Sequence, residues 1–154
     1  MTDSDAGRTL LRRAREQLDA WTYEARDRAF TEFFEGPDRV LSDEELALLD
    51  RIDSDLTRRT GDGLWGGGEY GIVGGGPVDE DGPQVVCIYH PEIPYEGYRG
   101  EESLDEATRE ELNDVLWEYS ERVASLIQEE LDAFVREHRR RSQGAIAAGR
   151  RVWR

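Results

Sequence analysis

The feature that most constrains this chain is a long amphipathic stretch near its carboxyl end, between Leu104 and Arg141. Apolar side chains recur in it at intervals of three and four residues, the spacing that predicts an α-helix with one buried face. As a single helix, the stretch would be about 57 Å long. A compact globule of this chain length has a diameter of only about 40 Å. The predicted helix therefore overhangs the body unless another surface lies along it.

The first helix and a second copy of the chain are the candidate companions of this long helix. A similar apolar spacing predicts a helix over residues 8–35, about 42 Å long, which covers most of it in an antiparallel pair. For the remainder we expect a second subunit, so the sequence predicts a homodimer. The residues expected to share their stripe between the intrachain partner and the second subunit are Leu112, Leu116, Tyr119, Val123, Leu126 and Leu131.

A shorter helix is predicted over residues 42–60, where it opens with a capping box. The Ser42 hydroxyl and the Glu45 carboxylate can satisfy each other's backbone amides at the start of the helix. The same pattern, beginning at Ser103, opens the long helix predicted over residues 104–141. Both helix starts are therefore expected to be fixed by local side-chain hydrogen bonds.

Glycine and proline are concentrated between the second and third helices, in residues 61–100. Two short strands are predicted there, over 69–73 and 84–90, joined by an acidic turn into an antiparallel hairpin. The second strand has apolar residues on both faces, so we expect both faces to be covered. The predicted fold is α+β and mostly helical, with two long antiparallel amphipathic helices, one shorter helix and a small hairpin. It forms one domain over residues 1–142, followed by a basic, flexible tail over 143–154.

Composition limits the surroundings and the chemistry of the protein. The chain has 35 Asp and Glu against 20 basic residues, all of them Arg, and a net charge of −15. Acid excess without lysine resembles the composition of haloarchaeal proteins, because molar salt screens the self-repulsion of an acidic surface. The lack of lysine excludes phosphate-loop and Schiff-base chemistry. The single cysteine, Cys87, excludes an internal disulfide and indicates a cytoplasmic protein.

Motifs for cofactors, metals and membranes are weak in this sequence, and we expect none of these partners. Two overlapping G-x-G-x-x-G matches begin at Gly61 and Gly66. In a dinucleotide fold this motif follows a strand and opens a helix, whereas here it follows a helix and leads into a strand. No apolar run is long enough to span a bilayer.

One loop has the residue types for chemistry, the segment just after the second predicted strand. It combines groups that serve as general acids and bases, hydrogen-bond donors and anion ligands. The candidate catalytic or ligand-binding residues are His90, Glu92, Tyr95 and Arg99. We expect Trp65 to face the same cavity across the hairpin. The competing interpretation is an irregular loop that its aromatic and proline residues fix against a helix.

The charge distribution indicates a different partner. Residues 1–135 have a net charge of −21, whereas residues 136–154 carry seven Arg and one acid, a net charge of +6. Such a tail can contact nucleic-acid phosphates or the acidic surface of its own chain, or its arginines can interact with the negative end of the third helix. The function we predict is a non-catalytic, homodimeric interaction module of the cytoplasm. The alternatives are a ligand-binding or enzymatic site in the loop and a nucleic-acid contact of the tail.

Overall fold

The computed structural model of the chain describes residues 3–37, 39, 41–61, 63–65, 68–74, 82–93 and 104–152, with the backbone alone for 3–6, 60 and 142–152. The described elements are three α-helices and two antiparallel strands. In chain order they are α1 at Asp3–Phe30, α2 at Asp43–Thr60, β1 at Glu69–Val73, β2 at Gln84–Tyr89 and α3 at Glu106–Val152. The predicted fold class, α+β and mostly helical, is confirmed.

α1 corresponds to the helix predicted over residues 8–35, but it begins at Asp3, and its α-helical part ends at Phe30. Its buried positions are spaced by four or seven residues and form one stripe; they are Ala14, Trp21, Ala25 and Ala29. The helix then widens into a π-helical turn, Thr31–Glu35, and stops at Gly36, whose amide donates to the carbonyl five residues earlier at 2.9 Å. Within this wider turn, the ring of Phe34 is buried in the core.

The predicted capping box of α2 is confirmed. The Ser42 hydroxyl accepts a hydrogen bond from the Glu45 amide at 3.2 Å, and the Ser42 amide donates to the Glu45 carboxylate at 3.3 Å. α2 ends at Gly61, whose φ of 82° lies in the left-handed region that glycine adopts without strain. Leu49 and Ile52 are fully buried, so α2 packs against the common core.

α3 begins later and continues further than the sequence predicts. Its start is capped by the Asp105 carboxylate, which accepts from the Thr108 amide at 2.7 Å; the predicted cap, Ser103, lies outside the described residues. This hydrogen bond lowers the pKa of Asp105, because it favours the charged carboxylate. At the other end α3 reaches Val152, so most of the predicted flexible tail, residues 143–154, is helical. The alanines and arginines of this segment favour a helix more than its glycines oppose it.

α1 and α3 pack against each other as an antiparallel pair. Near the end of α1, the ring centroid of Phe34 lies 5.8 Å from that of Tyr119. Nearer its start, Trp21 meets Phe134 edge-on with ring centroids 5.5 Å apart. Residues progressively closer to the start of α1 therefore contact residues progressively closer to the end of α3. The first turns of α1 consequently lie beside the last third of α3.

β1 and β2 form the predicted antiparallel hairpin, with β2 ending at Tyr89 rather than at residue 90. Tyr70 lies opposite Cys87, and Ile72 lies opposite Val85. These four side chains form the inner face of the hairpin and join the hydrophobic core beneath it. β1 lies over α1, and β2 lies along α3.

The prediction that both faces of β2 are covered is wrong. Ile88 is 66% exposed, and Val73 of the neighbouring strand is 47% exposed. The pairing is irregular between Glu69 and Tyr70, and the Ile88 side chain lies over Gly71, where a Cβ would come within 2.5 Å of Ile88 Cδ1. A two-stranded sheet on a helical pair has only one covered face, whatever the polarity of the other.

Two amide side chains of α3 hold the segment that contains β2. Gln128 accepts from the Val85 amide at 2.7 Å and donates to the Pro83 carbonyl at 3.1 Å. Asn113 accepts from the Ile93 amide at 2.8 Å and donates to the Ile93 carbonyl at 3.5 Å. The helix between these two amide anchors rises about 23 Å, and the extended chain from Val85 to Ile93 spans about 26 Å, so the attachment points match.

The chain itself therefore covers its longest helix. α3 has 47 residues and spans about 70 Å. α1 lies along its carboxyl-terminal part. Toward its amino end, the hairpin, α2 and the segment around Ile93 share a core with Leu112, Val115 and Leu116, which are buried. The length of α3 consequently does not require a second subunit.

Candidate functional site

The loop predicted to be catalytic is described only in part, because Tyr95 and Arg99 lie outside the described residues. His90 packs against Trp117, with ring centroids 4.6 Å apart and planes inclined by 50°. Both ring nitrogens of His90 are buried, and neither has a hydrogen-bond partner in the described part of the chain. Glu92 is exposed. These two side chains are therefore not arranged for proton transfer between them.

Trp65 does not face His90, contrary to the prediction. Its ring centroid lies within 5.6 Å of three others, those of Phe34, Phe30 and Tyr119. Tyr119 and Trp117 are two residues apart on α3, about 200° around the helix, so they point to nearly opposite sides. Trp65 thus forms an aromatic cluster with Phe30, Phe34 and Tyr119, and His90 contacts the other side of α3.

Two buried tyrosines join the helices and the hairpin. The Tyr119 hydroxyl donates to the Arg26 carbonyl at 3.4 Å, and the Tyr70 hydroxyl donates to the Ser120 carbonyl at 3.4 Å. Burial raises the pKa of both phenols, because desolvation disfavours the charged form. Both side chains are therefore neutral hydrogen-bond donors that stabilise the packing and do not serve as bases.

Stability is expected to fall at alkaline pH because of these two phenols. A phenol whose pKa is higher in the folded chain stabilises the fold below the unfolded pKa, about 10, and loses that contribution as the pH rises. The chain has no lysine to mask this titration. The free energy of unfolding, measured by urea titration, should drop between about pH 10 and about pH 12.

The drop should shrink in the double variant Tyr70→Phe/Tyr119→Phe, because neither position then titrates. Tyr23→Phe, a change at a site that is 78% exposed, removes a phenol hydroxyl without removing a buried hydrogen bond and is the matched control. Near neutral pH the double variant loses two hydrogen bonds, each worth about 1 kcal/mol. If the free energy of unfolding of the wild type and of the double variant fell equally between about pH 10 and about pH 12, Tyr70 and Tyr119 would not be the cause of the loss.

The residues predicted to share their stripe between the intrachain partner and a second subunit are buried within one chain. None is more than 4% exposed; they are Leu112, Leu116, Tyr119, Val123, Leu126 and Leu131. All six belong to the hydrophobic core that α3 shares with the other elements. Their spacing correctly indicated a buried face of α3, but other elements of the same chain cover that face. A second subunit would have to contact other residues.

Large exposed apolar side chains in the described part of the chain lie on the hairpin and beside it. They are Tyr23, Val73, Ile88, Tyr89 and Trp117, each between 47% and 78% exposed, and we call them the hairpin patch. Tyr23 of α1 and Ile88 of β2 line one groove of about 500 Å³ between the helix and the hairpin. Trp117, which supports His90, borders the hairpin on α3.

The antiparallel pairing also brings two arginine-rich segments together, residues 7–17 of α1 and 133–141 of α3, which we call the basic end. They hold eight Arg and two Glu, a net charge of +6, against −21 for the rest of the chain. All eight arginines are exposed. An open groove of about 770 Å³ between the segments is lined by Trp21 and Phe134. Its charged lining residues are of both signs; they are Arg13, Arg141, Glu16, Glu130 and Glu137. The sequence analysis predicted only the α3 segment of the basic end. The run of arginines early in α1 is the sequence signal for its other segment.

Residues 4–138 match a protein family of unknown function, DUF7539. The chain belongs to this family. The DUF7539 match spans α2, the hairpin and most of the helical pair, and it ends inside the arginine-rich segment of α3. No curated protein and no solved structure matches the chain. Membership of DUF7539 thus supplies no activity.

Within the described ranges, no group of three or more His, Cys, Asp or Glu side chains is arranged to hold a metal ion. No helix in those ranges is long and apolar enough to cross a membrane. The Cys87 thiol donates to the Tyr89 carbonyl at 3.1 Å, and burial raises its pKa. A thiol with a raised pKa is a weak nucleophile at neutral pH, so Cys87 is a packing residue.

Proposed function

We propose that the protein is a non-catalytic interaction module that forms a homodimer through the hairpin patch. The observation that carries the proposal is the exposure of Tyr23, Ile88 and the other large apolar side chains of that patch. Exposed apolar surface of this kind is typical of protein–protein contacts. The separation of His90 from Trp65, and the exposed position of Glu92, favour binding over catalysis.

The charge of the surface permits a second copy of the chain as the partner only at high salt. Outside the basic end the net charge is −21, which in dilute buffer repels any acidic protein, including another copy. At about 1 M salt the Debye length is about 3 Å, so this repulsion is screened while apolar association is strengthened. We therefore propose a cytoplasmic, salt-adapted dimer whose two-fold axis passes through the hairpin patch, supported by the acidic, lysine-free composition.

Ile88→Asp is expected to abolish this dimer. In a two-fold interface the substitution occurs twice, and each occurrence removes the burial of one large apolar side chain, about 1.5–3 kcal/mol. The dimer dissociation constant in about 2 M KCl, measured by sedimentation equilibrium, should rise at least about 100-fold. Ala47→Asp adds the same charge at an exposed site of α2 and should leave the dissociation constant unchanged.

Two outcomes would contradict the proposal. One is a wild-type chain that sediments as a 17.6 kDa monomer across the micromolar range in molar KCl. The other is a dimer that Ile88→Asp and Tyr23→Ser both retain, since its contact would then lie elsewhere on the surface. Far-UV circular dichroism of the Ile88→Asp monomer checks that the fold survives, as expected for an outward-facing residue.

A further inference from the structure

We infer that the basic end is a binding site for the phosphate backbone of a nucleic-acid duplex. The site combines residues 7–17 of α1 with residues 133–141 of α3, which the sequence separates and the antiparallel pair brings together. It shares no residue with the hairpin patch: Tyr23 lies about 12 Å from Arg15 along α1, and Trp117 lies about 32 Å from His138 along α3. The inference therefore stands or falls independently of self-association.

Ion pairs within the described part of the chain do not neutralise most arginines of the basic end. Glu137 pairs with Arg140 at 2.8 Å and with Arg141 at 3.1 Å. Glu16, its other acidic residue, has no ion pair in the described ranges. The six arginines without an ion pair in those ranges are Arg8, Arg12, Arg13, Arg15, Arg136 and Arg139. Most of the positive charge is therefore available to an anion from outside the chain.

The helix dipoles do not stabilise the arginines of the basic end either. Cations stabilise the last turn of a helix, but α3 continues to Val152, so residues 133–141 lie more than two turns before its end. Arg8 and Arg12 lie beyond the first turn of α1, so the dipole of that helix does not stabilise either cation. They also stand four residues apart, a like-charge spacing that destabilises a helix, and the same spacing recurs in α3. A bound anion would compensate this repulsion.

The shape and chemistry of the basic end favour a dense, linear polyanion. Its arginines follow two adjacent helices for about three turns of α1, so the positive surface is elongated. A duplex carries one charge per about 1.7 Å of its axis, which allows several phosphates to meet this surface. Each planar guanidinium can donate two parallel hydrogen bonds to one phosphate.

Contact should be confined to the backbone and to this end of the molecule. Trp21 is buried and Phe134 half-buried, so bases cannot stack on these rings and binding should be independent of sequence. Near 0.1 M KCl, where the Debye length is about 10 Å, the net charge of −21 elsewhere repels phosphates. The protein is therefore expected to approach a duplex with the basic end first.

The test is fluorescence anisotropy of a labelled DNA duplex of about 20 base pairs, titrated with the full chain. Measurements are made at several KCl concentrations at which the far-UV circular dichroism of the protein is native. The triple variant Arg8→Gln/Arg12→Gln/Arg15→Gln removes three phosphate contacts. Its Kd near 0.1 M KCl should rise at least about 30-fold, and the slope of log K against log[KCl] should shrink by about three.

A matched control makes the same chemical change in the acidic part of the chain. It is Arg39→Gln/Arg58→Gln/Arg59→Gln, all at exposed positions, and its Kd should stay within about threefold of wild type. A third variant tests whether both helices form one site and should weaken binding as much as the α1 variant. It is Arg136→Gln/Arg139→Gln/Arg140→Gln.

Four results would overturn the inference. The first is no duplex binding at any KCl concentration at which the protein is folded, and the second is an equal loss in the control variant. The third is a loss confined to the α3 variant, which would assign the contact to α3 alone. The fourth is tighter binding to polyglutamate or to phosphatidylglycerol vesicles than to the duplex, which would assign the surface to an acidic protein or a membrane.

Discussion

Replacing Phe34 with alanine should lower the free energy of unfolding by about 3–5 kcal/mol. The ring is 3% exposed, and its centroid lies within 6.0 Å of four others, those of Phe30, Phe33, Trp65 and Tyr119. Removing it leaves a cavity walled by rigid aromatic side chains, which collapse poorly into vacated space, and forfeits the ring–ring contacts as well. Denaturant unfolding in molar KCl, followed by circular dichroism, measures the loss.

Phe33→Ala is the matched control for this prediction. Phe33 is half-buried and has ring neighbours at 6.0 Å and 6.3 Å, so its removal should cost no more than about half as much. Similar losses for the two variants would contradict the packing described here. They would mean that the π-helical turn Thr31–Glu35 can rotate and place either ring in the core.

Asp53→Ala should lower the free energy of unfolding by about 2–4 kcal/mol. The Asp53 carboxylate, on α2, accepts from the Leu64 amide at 2.6 Å and from the Trp65 amide at 3.4 Å. These bonds attach the turn that carries Trp65 into the aromatic cluster. Without the carboxylate, two partly buried amides lose their acceptor, and each unsatisfied group costs about 1–3 kcal/mol.

Three variants control the Asp53 prediction. Asp53→Asn keeps an acceptor oxygen and should lose less than half as much stability. Asp50→Ala removes an exposed carboxylate from the same helix and should change the free energy by less than about 0.5 kcal/mol. Gly63→Ala should reproduce the loss, because a Cβ there would collide with the Asp53 carboxylate. Equal stabilities of Asp53→Ala and Asp50→Ala would refute the role assigned to the carboxylate.

Most element boundaries could be predicted from sequence, because each depends on a few neighbouring residues. The capping box that begins at Ser42 and the glycine at position 61 place α2 within one residue of the predicted range, 42–60. α3 is harder, because Ser103 and Asp105 are both suitable caps and the structure uses the second. Its carboxyl end also depends on a balance of alanines against glycines that no single residue decides.

What covers each element could not be predicted, because that depends on segments that are distant in sequence. The spacing of apolar residues in α3 is the same whether α1 or a second subunit lies against it. Likewise, nothing in the loops shows that Trp65 and His90 contact opposite sides of α3. The positive charge of the tail could be predicted from the sequence. That Arg8–Arg15 lie beside the arginines of residues 136–141 follows only from the pairing of α1 with α3.

The amide anchors Gln128 and Asn113 have a consequence for how this small sheet keeps its alignment. A hairpin of two strands is marginally stable in water, and a slip of one residue turns its backbone groups to the opposite edge. Because each anchor both accepts and donates a hydrogen bond, a slip of the segment from Pro83 to Ile93 would break the contacts of Gln128 and of Asn113 together. The side chains of α3 therefore fix the alignment of the hairpin. They supply β2 with hydrogen bonds that a third strand would supply in a larger sheet.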